Sequence, residues 1–140
     1  MKILLAVDGS PYTKKMLAYL TTHVEMFSGD IEFVALTVQG PLPPRARAAV
    51  GKEVVDSYYA EEAAKVLDPV LKFLTRHDLP VKGASKVGHA GETIAKFAES
   101  GKFDLIVMGS RGHGALGGLV MGSVATKVLA SCQVPVLLVR

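Results

Sequence analysis

The chain has 140 residues, 49% of them hydrophobic and 21% charged, with a formal net charge of +3 and an isoelectric point near 9.0. That length suits a single domain, residues 1–140, able to bury roughly two-thirds of its unfolded surface. No apolar run reaches the roughly 18–20 residues of a membrane helix. The single cysteine, Cys132, excludes an internal disulfide and a metal–thiolate cluster, and the scattered lysines and arginines form no basic stripe that would mark a nucleic-acid partner.

Ile3–Val7 is a short aliphatic run, the mark of a strand covered on both faces. It is too short for the apolar region of a signal peptide, and Asp8 ends it, so a cytoplasmic location is expected. Ser10-Pro11 reads as an N-cap followed by proline at the first helical position. The helix that follows puts Met16, Leu17, Leu20, Val24 and Phe27 on one face, and Ser28-Gly29-Asp30 stops it. Ile31–Val38 is the second strand. Residues 39–48, with Pro41, Pro43 and Pro44, read as a long loop.

From Lys52 to Arg76 the pattern is helical again, with Val66, Leu67, Val70, Leu71 and Leu74 inward. Pro69 either kinks this helix or begins a new one behind Asp68. Val81–Val87 is a more polar strand suited to a sheet edge. Ala90–Gly101 is a helix with Ile94, Phe97 and Ala98 inward, and Phe103–Met108 is a buried strand. A glycine-dense loop, a helix from about Gly122 to Ser131 and a strand at Val134–Val139 complete the chain. Cys132, in an apolar pattern, reads as a small buried hydrophobe. His23, His77, His89 and His113 show no metal-ligand spacing.

Strands separated by helical crossovers imply a mainly parallel α/β sheet with helices on both faces. Such sheets bind ligands beyond the C-terminal strand ends, where the strand order reverses. The loops after the first strand (Asp8-Gly9-Ser10) and the fourth (Gly109 onward) are therefore the candidate site.

That second loop holds Gly109, Gly112, Gly114, Gly117, Gly118 and Gly122, a density that requires close backbone approach or positive φ. It enters a helix whose first turn holds Gly122-Ser123, where free amides and the helix dipole attract phosphate. Two standard motifs nearly match. Gly117 to Gly122 has P-loop spacing, but Ser123-Val124 replaces the required Lys-Ser/Thr. Gly112-His113-Gly114-Ala115-Leu116-Gly117 is a GxGxxG, but no acidic residue follows it to hold a ribose.

A third pattern fits: Gly109-x2-Gly112-x9-Gly122-Ser123. It resembles the ATP-binding loop of the universal stress protein family, G-x2-G-x9-G-S/T. Ile3–Ser10 resembles the family's opening strand and acidic turn, Asp104–Gly112 its fourth strand, and Val134–Val139 its closing strand. The resemblance spans essentially the whole chain.

It implies an open five-stranded parallel sheet in the order 3-2-1-4-5, Rossmann-like. By position it places Asp8 at adenine and ribose, Val38 at the adenine, and Ala6 in the same pocket. Met108, Gly109, Gly112 and His113 would follow ribose and phosphates, with Arg111 beside them. Gly122, Ser123 and Val124 would hold a triphosphate with Mg²⁺ or Mn²⁺ bridging it. Simpler roles stand beside these: Asp8 and Ser10 as turn and helix caps, Val38 as core, Arg111 and His113 as solvated loop residues. The terminal strand Val136–Val139 would lie at a sheet edge, and family members dimerise through it.

The functional expectation is an ATP-binding regulatory module that acts as a homodimer on a protein partner the residues do not identify. Slow ATP hydrolysis and an interaction protein with a vestigial pocket are the alternatives. Against efficient hydrolysis, no P-loop lysine is present and no Asp or Glu side chain lies between residues 105 and 140.

Overall fold

The computed structural model describes residues 1–113 and 120–140. Its elements run β1 (Lys2–Ala6), α1 (Pro11–Thr22), a 3-10 turn (Val24–Phe27), β2 (Glu32–Gln39), α2 (Pro44–Val50), α3 (Lys52–Arg76), β3 (Val81–Val87), α4 (Ala90–Ser100), β4 (Leu105–Gly109), α5 (Ser123–Ser131) and β5 (Val136–Val139). The five strands form one sheet in the order β3-β2-β1-β4-β5, and every pairing is parallel. The expected order and architecture are what the structure adopts.

Side-chain alternation divides the core between the two sheet faces. Ile3, Leu5 and Val7 pack with Met16, Leu17 and Leu20 of α1 and with Leu67, Val70 and Leu74 of α3. Leu4, Ala6, Val34 and Leu36 pack on the other face with Ile94, Ala95 and Ala98 of α4 and with Ala125 and Val128 of α5. This is why β1 reads as unbroken aliphatic sequence: both of its faces are covered. Cys132 is buried in the second cluster.

Three local expectations change. The first helix stops at Thr22, and the 3-10 turn that follows leaves Val24 exposed, while Phe27 still packs against the core. The segment expected as a loop contains α2, started by Pro44 in its first turn and held on the fold through Tyr59. The Tyr59 hydroxyl accepts from the Leu42 amide at 2.8 Å, and its carbonyl accepts from Gln39 Nε2 at 2.7 Å. Gly51, at φ +85°, makes the left-handed link from α2 into α3.

Finally, α3 is one continuous helix through Pro69. Pro69, Asp68 and Lys65 lie on its exposed face, where water can solvate a carbonyl that loses its amide partner. Among the described residues, no helix is long and apolar enough to cross a membrane.

Candidate functional site

β1 is flanked by β2 on one side and β4 on the other, so the chain winds away from it in both directions. That is a topological switch point. A cavity of about 340 Å³ opens there, beyond the C-terminal ends of β1, β2 and β4 and beside the first turns of α4 and α5. Its volume lies at the lower end of the usual range for small-ligand sites.

Every site residue expected from the sequence lines this one cavity: Ala6, Asp8, Val38, Met108, Gly109, Arg111, Gly112, His113, Gly122, Ser123 and Val124. Gly114, Gly117 and Gly118 of the glycine loop lie outside the described residues. Sequence reasoning missed Val7, Thr13, Leu36, Ala90, Ile94 and Ala125 as lining residues. The available signal for Thr13 was a hydroxyl three positions beyond Ser10, in the first turn of α1. For Ala90 and Ile94 it was the start of α4, a second helix directed at the strand ends.

The β1–α1 turn is built around Asp8. Its Oδ1 accepts from the Ser10 amide at 2.9 Å and from the Thr13 hydroxyl at 2.9 Å. Thr13 Oγ1 in turn accepts from the Asp8 amide at 3.0 Å. Ser10 occupies the N-cap position of α1, but its side chain makes no cap hydrogen bond, and its buried Oγ has no partner among the described residues. The expected serine cap is thus replaced by an aspartate-centred turn.

Burial pushes the Asp8 carboxyl up. The donors from Ser10 and Thr13, helped by the charge of His113, outweigh that and hold it below the usual 3.8. The Ser10 contribution is carried by its amide, since its hydroxyl has no hydrogen-bond partner among the described residues. Asp8 as a residue remains exposed toward the open cavity.

Close approach explains two of the glycines. A Cβ on Gly112 would run into Asp8 Oδ2, and one on Gly122 would stand 3.2 Å from the Arg111 Cα. The Gly122 amide donates to the Ser110 carbonyl at 2.7 Å, which fixes the entry into α5. The first helical bond there runs from Thr126 N to Gly122 O, so the Ser123 and Val124 amides precede the ladder. Neither α4 nor α5 has a side-chain N-cap. Both helix starts therefore present donors and positive dipole ends at the cavity.

The strand geometry also exposes backbone groups. The Val7 amide donates to Leu36 O, and the Gly88 amide donates to Gln39 O. Even-numbered β2 residues thus face β1 and odd-numbered ones face β3. β1 ends at Ala6, opposite Leu36. The Val38 N–H and C=O therefore point beyond the last β1 rung, toward the cavity.

A parallel α/β sheet wound in both directions, with a glycine-lined cavity and two helix starts at its switch point, has the design of a small-ligand-binding Rossmann-like protein. The model of the universal stress protein family matches residues 1–140, and the chain belongs to that family. A universal stress protein of Thermus aquaticus is 33% identical over 139 residues, covering 99% of this chain and 97% of its own. MJ0531 of Methanocaldococcus jannaschii is 30% identical over 140 residues, covering 99% and 81%.

Among solved structures, MJ0577 superposes with a TM-score of 0.80 at 30% identity, over 99% of this chain and 94% of that one. Solved universal stress proteins at lower identity share the fold. One from Archaeoglobus fulgidus is in complex with dAMP (20% identical, TM-score 0.70, 100% and 98% covered). One from Arabidopsis thaliana has AMP bound (16%, 0.67, 99% and 90%), and a third is in complex with cAMP (18%, 0.66, 100% and 96%).

Proposed function

We propose that this chain binds ATP in the switch-point cavity and acts as a nucleotide-responsive regulatory module in the cytoplasm. The observation that carries the reading is the convergence, in one cavity, of an uncapped helix start behind glycines and a free strand backbone at Val38. The adenine-nucleotide complexes of the structural neighbours favour it.

Adenine offers an acceptor at N1 beside a donor at N6. The adjacent N–H and C=O of Val38 complement that edge and oppose the reversed pattern of guanine. Ala6, Leu36 and Val38 supply apolar contact for the ring. Asp8 Oδ2, the oxygen not engaged by Ser10 and Thr13, is the acceptor for a ribose hydroxyl. The Ser123 and Val124 amides at the start of α5 receive the phosphates.

A divalent ion would come with the phosphates rather than to a site of its own. Among the described residues no group of three His, Cys, Asp or Glu could hold one, and Asp8 is the only carboxylate lining the cavity. Mg²⁺ commonly binds through phosphate oxygens, water and one or two protein oxygens, and the Ser123 hydroxyl fits that role. When bound, the ion neutralises phosphate charge. The lowered pKa of Asp8 makes it a weak general base, which favours binding over hydrolysis.

The module acts as a homodimer through β5, the edge strand beside β4, and its nucleotide state governs a protein partner. The Ile106 and Ser110 amides donate to Pro135 O and Val139 O. The polar groups of Val136 and Leu138 therefore face outward from the sheet, available to a second copy.

The test is to denature freshly purified protein and identify the released small molecules by absorbance and chromatography. Recovery of ATP near one per subunit supports the reading. Recovery of ADP alone favours hydrolysis. No nucleotide, with no thermal shift on adding Mg-ATP, overturns it.

A further inference from the structure

Beside the cavity, two cations converge on one aromatic ring. Lys15 Nζ lies 4.8 Å and Arg111 Cζ 5.1 Å from the centroid of Tyr12. An aromatic face returns only about 0.5–1 kcal/mol per cation at exposed sites. Among the described residues the ion pairs are Lys65–Glu62, Lys82–Glu32 and Lys127–Glu92, so neither Lys15 nor Arg111 takes part in one. Residues 114–119 contain no Asp or Glu that could serve as a counter-ion.

The Arg111 Nε is buried and has no acceptor among the described residues. Such a group normally finds a partner, because desolvating it without one is costly. Arg111 also lines the cavity together with Gly112, Gly122 and Ser123, at the end where the α5 amides are free. Gly109 makes the arrangement possible. A Cβ there would stand 2.6 Å from the Tyr12 Cβ, so its absence lets Tyr12 seat against the end of β4.

We propose that Lys15, Tyr12 and Arg111 form a subsite for the phosphates beyond the first, making the cavity selective for nucleoside di- and triphosphates over monophosphates. The inference rests on the nucleotide-binding reading above. Arg111 supplies a planar fork of donors to phosphate oxygens, Lys15 a mobile point charge, and Tyr12 the platform that orients both. A bound polyphosphate provides the missing acceptor for Nε and the missing counter-charge for the pair.

The experiment is calorimetric titration of AMP, ADP and ATP, each with Mg²⁺, into the parent protein, Arg111→Gln and Lys15→Gln. Melting curves check that the variants fold; Lys15 is exposed, so its substitution leaves the core untouched. The parent binds ADP and ATP about ten-fold or more tightly than AMP, the range of a charge-assisted hydrogen bond. In Arg111→Gln most of that preference disappears, because ATP and ADP lose more affinity than AMP does. Lys15→Gln lowers ATP affinity by roughly two- to five-fold, as for an exposed charge, and the loss diminishes at high salt. If all three proteins bind nucleotide with the same ATP-to-AMP ratio, the subsite is wrong and nucleotide binding stands. If the folded parent binds none of the three, both readings are overturned together.

Discussion

His113 Nε2 donates to the backbone carbonyl of Asp8 at 2.7 Å, joining two loops that lie 105 residues apart in the chain. A carbonyl can only accept, so Nε2 carries the hydrogen whichever state the ring is in. The bond clamps the glycine loop after β4 to the turn after β1, across the cavity mouth. Asp8 Oδ2 meets Gly112 at the same seam, so both sides of the candidate site are registered at one point.

Removing that clamp should weaken ligand binding more than folding. His113→Ala is expected to lower ATP affinity by about five-fold, the worth of one ordinary hydrogen bond. The melting temperature should fall by only a few degrees, because the residue is exposed and contributes no core. Paired calorimetry and thermal melts check this; a large loss of stability with unchanged affinity would assign His113 to folding instead.

The glycines of the cradle make a sharper prediction. Gly112→Ala places a methyl against the Asp8 carboxylate, and Gly122→Val places one beside the Arg111 backbone while its branches fill the space before Ser123. Overpacking of this kind costs about 1–3 kcal/mol, which a folded domain of this size can absorb. Both variants should fold and lose nucleotide binding by at least about a hundred-fold. Gly122→Val that binds ATP like the parent would remove α5 from the phosphate site.

Thr13→Val keeps shape and removes both hydrogen bonds to Asp8. Thr13 is buried, so the stranded Asp8 amide should cost about 1–3 kcal/mol of stability, measured by urea unfolding. Loss of the donor should also raise the Asp8 pKa, since the Thr13 side-chain bond is among the causes that lower it.

The acid limb follows from the same carboxyl. Its folded pKa is depressed below the unfolded value of about 3.9. Asp8 therefore binds fewer protons folded than unfolded over that interval, and its contribution is present at neutral pH. It is lost as pH falls below about 4, through the folded pKa. Because Asp8 is open to solvent, screening keeps the effect small. Urea midpoints of parent and Asp8→Asn between pH 7 and pH 2 should converge at the acid end; a gap that stays constant would mean Asp8 does not titrate in this way.

Leu138→Pro tests the edge. The Leu138 amide faces away from β4, so proline removes an outward donor while leaving the β4–β5 bonds in place. Sedimentation should give a dimer for the parent and a 14.8 kDa monomer for the variant. A parent that sediments only as monomer would end the β5 pairing.

The sequence was most informative where a residue's role depends on its neighbours in the chain. Ile3–Val7 and Phe103–Met108 declare buried strands because they carry aliphatic runs. Gly109, Gly112 and Gly122 declare a cradle because their spacing on a strand–loop–helix unit is local. Where local signals competed, the outcome was open. Pro43-Pro44 spoke for a loop, yet proline also starts helices, and α2 forms there, with Tyr59 anchoring the residues that lead into it. Pro69 is tolerated because it falls on the exposed face of α3, a matter of which side the helix buries.

By itself the sequence determined the alternation of strands and crossovers, the two loops at the switch point and the glycine–serine pattern, all carried by periodicity and spacing. Only the tertiary structure decided what meets across the sheet. It brought His113 to the Asp8 carbonyl and Arg111 over Tyr12, and turned the Val38 backbone into the cavity. Those relationships join residues from different elements, and parallel strand order with its register fixes them; no local pattern along the chain encodes a contact whose two halves are a hundred residues apart.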